Sequence, residues 1–263
     1  MVDQGISILN QTTAVVQKPS PKQNRANPPV VVDLQPYLQS SHPVLEKRGI
    51  SGQACQYLGC GYLPERQQGK CSPLNGRLVF QVRGVNQDLK PVVLSHVGRA
   101  LTEEQSAANG RYWGFPFSKK LEIYNQDKLL LDPGAKKQVE QHGLTLVEGF
   151  FDVAALVSAG CLNAGAIMGA HLCEEQVHQL QFLASHINIS IVNLFLDRDN
   201  AGKEGALKAE SLLKQHGFAV RIFDWDQKFE RPGCLPVGIT SGIKDPADMS
   251  GSQLRYLRKT GMI

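Results

Sequence analysis

Leu144-Thr145-Leu146-Val147-Glu148-Gly149-Phe150-Phe151-Asp152 is the stretch whose reading decides the fold. Leu144–Val147 has strand character, and Phe150–Ala159 reads as a helix stopped at Gly160. Between them Gly149 permits a sharp turn and close backbone approach. The same order recurs downstream. Ile189–Leu196 reads as a strand, and Ala201–Gln215 as a helix with Gly217 just past its end. Gly134–His142 and Glu174–Ser185 are helical patterns, while Asn163–Met168 and Phe218–Phe223 are strand-like. Strands alternating with helices predict an α/β fold, a parallel sheet with flanking helices.

Carboxylates gather where those strands end. Glu148 follows the first strand, and Asp152 lies four residues on, in the first turn of the next helix. Asp197-Arg198-Asp199 follows Ile191–Leu196, and Asp245-Pro246-Ala247-Asp248 lies in a loop after a Pro- and Gly-rich segment. In an extended strand exit, Asp197 and Asp199 point the same way. Two carboxylates so close repel unless a cation compensates them. Capping is a competing use: Asp152 suits a helix N-terminus, Asp199 or Asn200 suits the helix starting near Ala201, and Asp248 suits a helix after the loop. Carboxyl ends of neighbouring parallel strands converge on one crevice, and a carboxylate-rich crevice suits Mg²⁺ beside phosphates.

Upstream the pattern changes. Residues 1–40 are polar, with Lys18-Pro19-Ser20-Pro21-Lys22 and Asn27-Pro28-Pro29, and read as a flexible tail. Residues 41–131 read as mixed α+β and basic, and 132–263 as the alternating unit. Pro43–Ile50 is a short helix ended near Gly49. Arg77–Arg83 and Val92–Val97 form a hairpin across Gly84–Pro91, and Ile123-Tyr124 is a further short strand.

The chain has 263 residues, 42% hydrophobic and 20% charged, with net charge +4. That is globular composition, mildly basic, permitting nucleic-acid binding without demanding it. No apolar run is long enough to cross a membrane and no signal peptide is recognised, so a cytoplasmic location is expected. The six cysteines contain no Cys-x-x-Cys pair. Cys55, Cys60 and Cys71 lack the tight pairs and fourth ligand of a structural zinc site, so no zinc is expected.

Val147–Asp152, Leu196–Gly202 and Lys244–Met249 resemble the three signatures of the Toprim domain, and their wording is most similar to that of bacterial (DnaG-type) primases. The likeness extends upstream. His42–Pro64 resembles the first helical part of the primase catalytic core. Gly76–Val82 resembles its Arg-hydrophobic-Phe-Pro strand, with Gln81 where the family tends to place Pro. Ser95–Arg99 resembles the following Gly-Arg strand, and Arg111, Tyr112, Trp113, Lys119 and Lys120 fall where that core is basic. The resemblance implies a Toprim domain, Rossmann-like, preceded by a smaller basic α+β subdomain. It implies a core without the family's zinc-binding and helicase-binding modules, in the manner of a plasmid, phage or integrated element.

By the same resemblance, the chain is expected to synthesise short RNA primers on single-stranded DNA from nucleoside triphosphates. Asp197, Asp199 and Asp245 would hold Mg²⁺ or Mn²⁺, assisted by Asp248 or Asp152, and Glu148 would be a metal ligand or general base. Arg77, Arg99, Arg111, Lys119 and Lys120 would contact template or triphosphate, and Tyr112 and Trp113 would stack on a base or pack in the core. A separate zinc-binding protein or replicative helicase would be the further partner. A Toprim-type metal-dependent nuclease and a non-catalytic DNA-binding accessory subunit are the alternatives.

Overall fold

The structure is a computed structural model that describes residues 26–65, 72–226 and 242–263. Expectations for residues 1–25, for Cys71 and for most of the Pro- and Gly-rich segment before Lys244 fall outside them.

The upstream part opens with two short helices, α1 (Pro43–Lys47) and α2 (Gly52–Leu58). The His42 ring accepts from Val44 N, and Ser51 Oγ accepts from Ala54 N, so each start is capped. An antiparallel sheet follows in the order β1 (Cys60–Tyr62), β2 (Leu78–Val85), β3 (Pro91–Arg99), β4 (Tyr112–Gly114). The expected hairpin is present, but its strands run further toward the turn. Its register shifts between Val82 and Arg83. Helix α3 (Glu103–Asn109) joins β3 to β4. Helix α4 (Gln126–Leu131) takes up the chain just after Ile123-Tyr124. That pair was expected as a strand and forms only an isolated bridge, Tyr124 to Ala166.

Residues 26–40, assigned to the tail by composition, instead lie against the sheet. Val30 N donates to Val93 O at 2.8 Å, Asn27 bonds Ser118 and Glu122, and Gln39 pairs with Tyr62. Backbone groups docked on β1 and β3 hold them where side-chain pattern gave no signal. At Gln81, where the family resemblance led to an expectation of Pro, the backbone N–H donates to Gly59 O and the side chain donates to Asp33. A proline could not make the first bond.

From α5 (Pro133–His142) the alternation is as expected: β5 (Leu144–Val147), α6 (Phe150–Ser158), β6 (Ala164–Ala166), α7 (Glu174–Ala184), β7 (Val192–Leu194), α8 (Asn200–Gln215), β8 (Val220–Ile222) and α9 (Gly251–Lys259). The sheet is wholly parallel, ordered β6-β5-β7-β8. Between β5 and β7 the strand order reverses direction. One apolar core runs through both parts: Leu45, Phe80 and Tyr124 pack with Val147, Phe150, Phe151 and Leu254. Among the described residues, no helix is long and apolar enough to cross a membrane.

Candidate active site

The reversal point between β5 and β7 is where an open parallel sheet leaves a crevice outside its carboxyl ends. Glu148 leaves β5 there and Asp197 lies just beyond β7. Asp197 N donates to Glu148 Oε1 at 3.3 Å, which joins the first two acidic motifs. Arg198 N donates to Lys244 O at 2.7 Å and Ala247 N to Asp152 Oδ1 at 3.2 Å, which brings in the third.

The carboxylates divide by environment. Asp152 is 5% exposed, and its other oxygen accepts from Gly149 N at 2.9 Å. Both oxygens are engaged by backbone, so Asp152 clamps the turn after β5 to the third motif. Burial first, then Asp245 and Asp197, push its carboxyl well above the ordinary carboxylate range. Asp199 caps α8, its Oδ1 accepting from Gly202 N at 2.8 Å. Asp245 caps the single turn Pro246–Asp248 by accepting from Asp248 N. Asp248 Oδ2 accepts from Lys244 N, and the helix beyond, α9, is capped by Ser250 rather than Asp248. Capping is short-range and leaves further lone pairs on each carboxylate.

Asp197 is the most perturbed of the half-buried acids. Burial, then Glu148, Asp245, Asp199 and Asp248, raise its pKa from 3.8 to about 7. Its Oδ1 is buried with no hydrogen-bond partner. A pocket of about 210 Å³, walled largely by Leu194, Leu196, Ile222, Phe223 and Trp225, adjoins it. The backbone of α8 presses close behind: a Cβ on Gly202 would lie 2.1 Å from Asp197 O. Glu148 is raised chiefly by burial and is partly restored by the bond from Asp197 N. Asp245 is raised by burial and by Asp248. An unpartnered buried oxygen amid like charges is what a divalent cation would satisfy. Among the described residues no three His, Cys, Asp or Glu side chains already stand at metal-ligand spacing. Mg²⁺ fits such an open set, since it keeps several waters and uses one or two carboxylates.

The basic residues expected to face nucleic acid do not behave alike. Arg77 is a correction: it is 1% exposed, and its guanidinium donates to Gly110 O and Gln105 O, holding the β3–β4 connection from inside. Lys119 Nζ donates to Met168 O at 3.0 Å, tying the upstream part to the loop after β6. Arg99 lies over the Tyr112 and Phe151 rings and donates to Tyr112 Oη. Arg111 and Lys120 are exposed, and Tyr112 is 43% exposed. Trp113 is half-buried: it meets Phe115 edge-on and packs against a small separate core of Leu63, Leu74 and Val79. Two basic residues escaped sequence reasoning. Arg48 lowers the pKa of Asp245 and His171 that of Glu148. Arg48 precedes a helix-ending glycine, and His171 sits in a loop; neither pattern carries a chemical signal.

Residues 143–224 match the family model of the Toprim domain. Over 162 residues the chain is 40% identical to a DNA primase of Mycoplasma pneumoniae, covering 61% of this chain and 24% of that protein. Over 186 residues it is 27% identical to a DNA primase of Staphylococcus aureus, covering 69% and 28% respectively. The chain thus spans about a quarter of the length of these curated relatives. Among solved structures, the zinc-binding and RNA polymerase domains of the Aquifex aeolicus primase superpose with a TM-score of 0.59 at 21% identity, over 82% of this chain and 54% of that one. A DnaG primase catalytic domain bound to single-stranded DNA superposes with a TM-score of 0.58 at 20% identity, over 86% and 75%. At these identities the likeness is one of fold.

Proposed function

We propose, for a Toprim-domain protein that resembles the catalytic core of bacterial DnaG-type DNA primases, that the reaction is synthesis of short RNA primers on single-stranded DNA. The observation that carries this reading is the partnerless buried Oδ1 of Asp197 within a ring of four further carboxylates at the strand-reversal crevice. Asp197, Asp199 and Asp245 would hold Mg²⁺ or Mn²⁺, with Asp248 completing the charge and Asp152 keeping the third motif in place. A divalent cation, when bound, acidifies the attacking 3′-hydroxyl and neutralises the triphosphate. The chain itself supplies position and field, which is most of what phosphoryl transfer needs.

Glu148 is half-buried at the crevice and has one oxygen committed to Asp197 N. Its raised pKa suits it to take the hydroxyl proton on the second oxygen as the 3′-oxygen attacks the α-phosphorus and pyrophosphate departs. The exposed Arg111 and Lys120 are suited to template phosphates, and Tyr112 to stacking on a base. Arg77 has no part in this, since its guanidinium is committed to the protein interior.

The test is incubation of the chain with single-stranded DNA, labelled ribonucleotides and Mg²⁺ or Mn²⁺, beside Asp197→Ala. Short labelled products from the unsubstituted chain alone are expected, with DNA binding nearly unchanged in the variant. Metal-dependent loss of the DNA without synthesis would move the assignment to a nuclease. Binding with neither activity would reduce it to a DNA-binding subunit.

A further inference from the structure

Met168, just past β6, has φ +56°, in the left-handed region that an L side chain enters at a steric cost. Its side chain is buried in the apolar core shared by both parts, so this is no loose surface turn. Such a backbone persists only where its surroundings fix it on several sides. Here three consecutive residues are held. Gln176, buried at the start of α7, donates from Nε2 to Ile167 O at 2.7 Å. Lys119 Nζ donates to Met168 O at 3.0 Å. Gly169 N donates to Glu148 O at 3.2 Å. The Gln176 amide nitrogen also reaches Glu122 O at 3.2 Å and Lys119 O at 3.3 Å, and its Oε1 accepts from Cys173 N at 3.4 Å. Both ends of the amide are engaged, which fixes the way it faces. On the other side α8 comes so close that a Cβ on Gly205 would strike Ala170 O.

The chain of bonds ends on Glu148 itself. We propose that Gln176 and Met168 are positioning residues for Glu148. Gln176 locks the Ile167–Gly169 turn in its left-handed form. The turn holds the Glu148 backbone, so that the carboxylate keeps one oxygen on Asp197 N and presents the other to the attacking hydroxyl. This inference rests on the primer-synthesis reading, in which Glu148 takes that proton. A base must stand about 2.6–3.2 Å from the atom whose proton it takes. A displacement of about 1 Å can cost about a hundredfold in rate. Without the clamp, Met168 gains by relaxing to negative φ, which swings Gly169 N away from Glu148 O. Gln176 and Met168 are both buried, so neither meets nucleotide or DNA.

The experiment is steady-state primer synthesis by the full chain with Mg²⁺. A thermal melt reports folding of each variant, and fluorescence anisotropy reports binding of a labelled single-stranded oligonucleotide. Gln176→Met removes the amide donors at similar size. It is expected to lower kcat about tenfold or more, with KM for ribonucleotides and oligonucleotide affinity unchanged. Combining it with Met168→Gly should restore most of the lost kcat, because glycine takes positive φ without steric cost and the turn no longer needs the clamp. The double variant should nevertheless melt lower than Gln176→Met, having lost a buried side chain. Activity regained while stability falls is a result that mere damage to the fold cannot give. Parent-like kcat in folded Gln176→Met overturns the proposal, and so does a double variant as slow as the single one. Should Gln176→Met not fold, Met168→Val decides with the clamp intact. A β-branched side chain tolerates the left-handed region least, so kcat should fall with KM unchanged, and parent-like kcat overturns the proposal. Failure of the unsubstituted chain to make primers overturns the primer-synthesis reading too, whereas synthesis that ignores the turn overturns this inference alone.

Discussion

Replacing Asp197 by asparagine should make the metal-free protein more stable while removing its activity. The carboxyl is raised from 3.8 to about 7, with burial and then Glu148, Asp245, Asp199 and Asp248 as causes. Roughly three pH units at 1.36 kcal/mol each is about 4 kcal/mol of penalty on the ionised form. The group is only half-buried, so solvent screening reduces this to about 2 kcal/mol. Because the folded-state pKa lies above the unfolded one, the folded chain binds more protons between about pH 4 and 7. Its stability therefore falls as pH rises through that window, and the penalty is complete above pH 7. The asparagine side chain carries no charge, so at pH 8 in a chelator the Asp197→Asn variant should melt about 4–8 °C higher. That advantage should shrink as the buffer is taken from pH 7 toward 4. Added Mg²⁺ should reverse the order by stabilising the unsubstituted chain alone. Thermal melts followed by circular dichroism across pH, with chelator and with metal, give the answer. A variant no more stable than its parent at pH 8, or a gain indifferent to acid, would mean that the carboxylates do not strain one another.

Gly202→Ala would bring a Cβ to 2.1 Å from the Asp197 carbonyl oxygen, and backbone cannot yield cheaply there. A loss of about 1–3 kcal/mol in urea unfolding is expected, together with loss of the metal-induced rise in melting temperature; parent-like values in both would disprove the tight approach. Arg77→Leu leaves the Gly110 and Gln105 carbonyls without their donor. Urea unfolding should show a loss of about 2–4 kcal/mol, with oligonucleotide affinity of the folded protein unchanged by fluorescence anisotropy. Weakened binding without a stability loss would return Arg77 to the nucleic-acid face.

Long periodic segments were legible because their pattern is local. Leu144–Val147 forms a strand within the expected bounds, and α5 to α8 match to within a residue or so at their ends. Helices α3 and α4 and strands β1 and β4 were not foreseen, since three to seven residues are too few for a period to declare itself. Asp199 illustrates a double signal: the pattern fitted both a cap and a cation site, and the observed cap leaves the second use open.

The sequence by itself determined which chemistry is present: carboxylates after successive strands, on an alternation that makes a parallel sheet with a crevice at their ends. Tertiary structure decided how those groups meet. The bond joining the first two motifs spans 49 residues, and that joining Asp152 to the third spans 95. Arg77 and Arg111 look alike along the chain, yet one is interior because carbonyls 28 and 33 residues away close over it. Likewise Arg48 and Arg99, far apart along the chain, come to lie over one ring only because the fold sets both against Phe151 of α6. Periodicity reports which side of an element is apolar; it carries no record of the distant polar group that the folded chain will set against the other side.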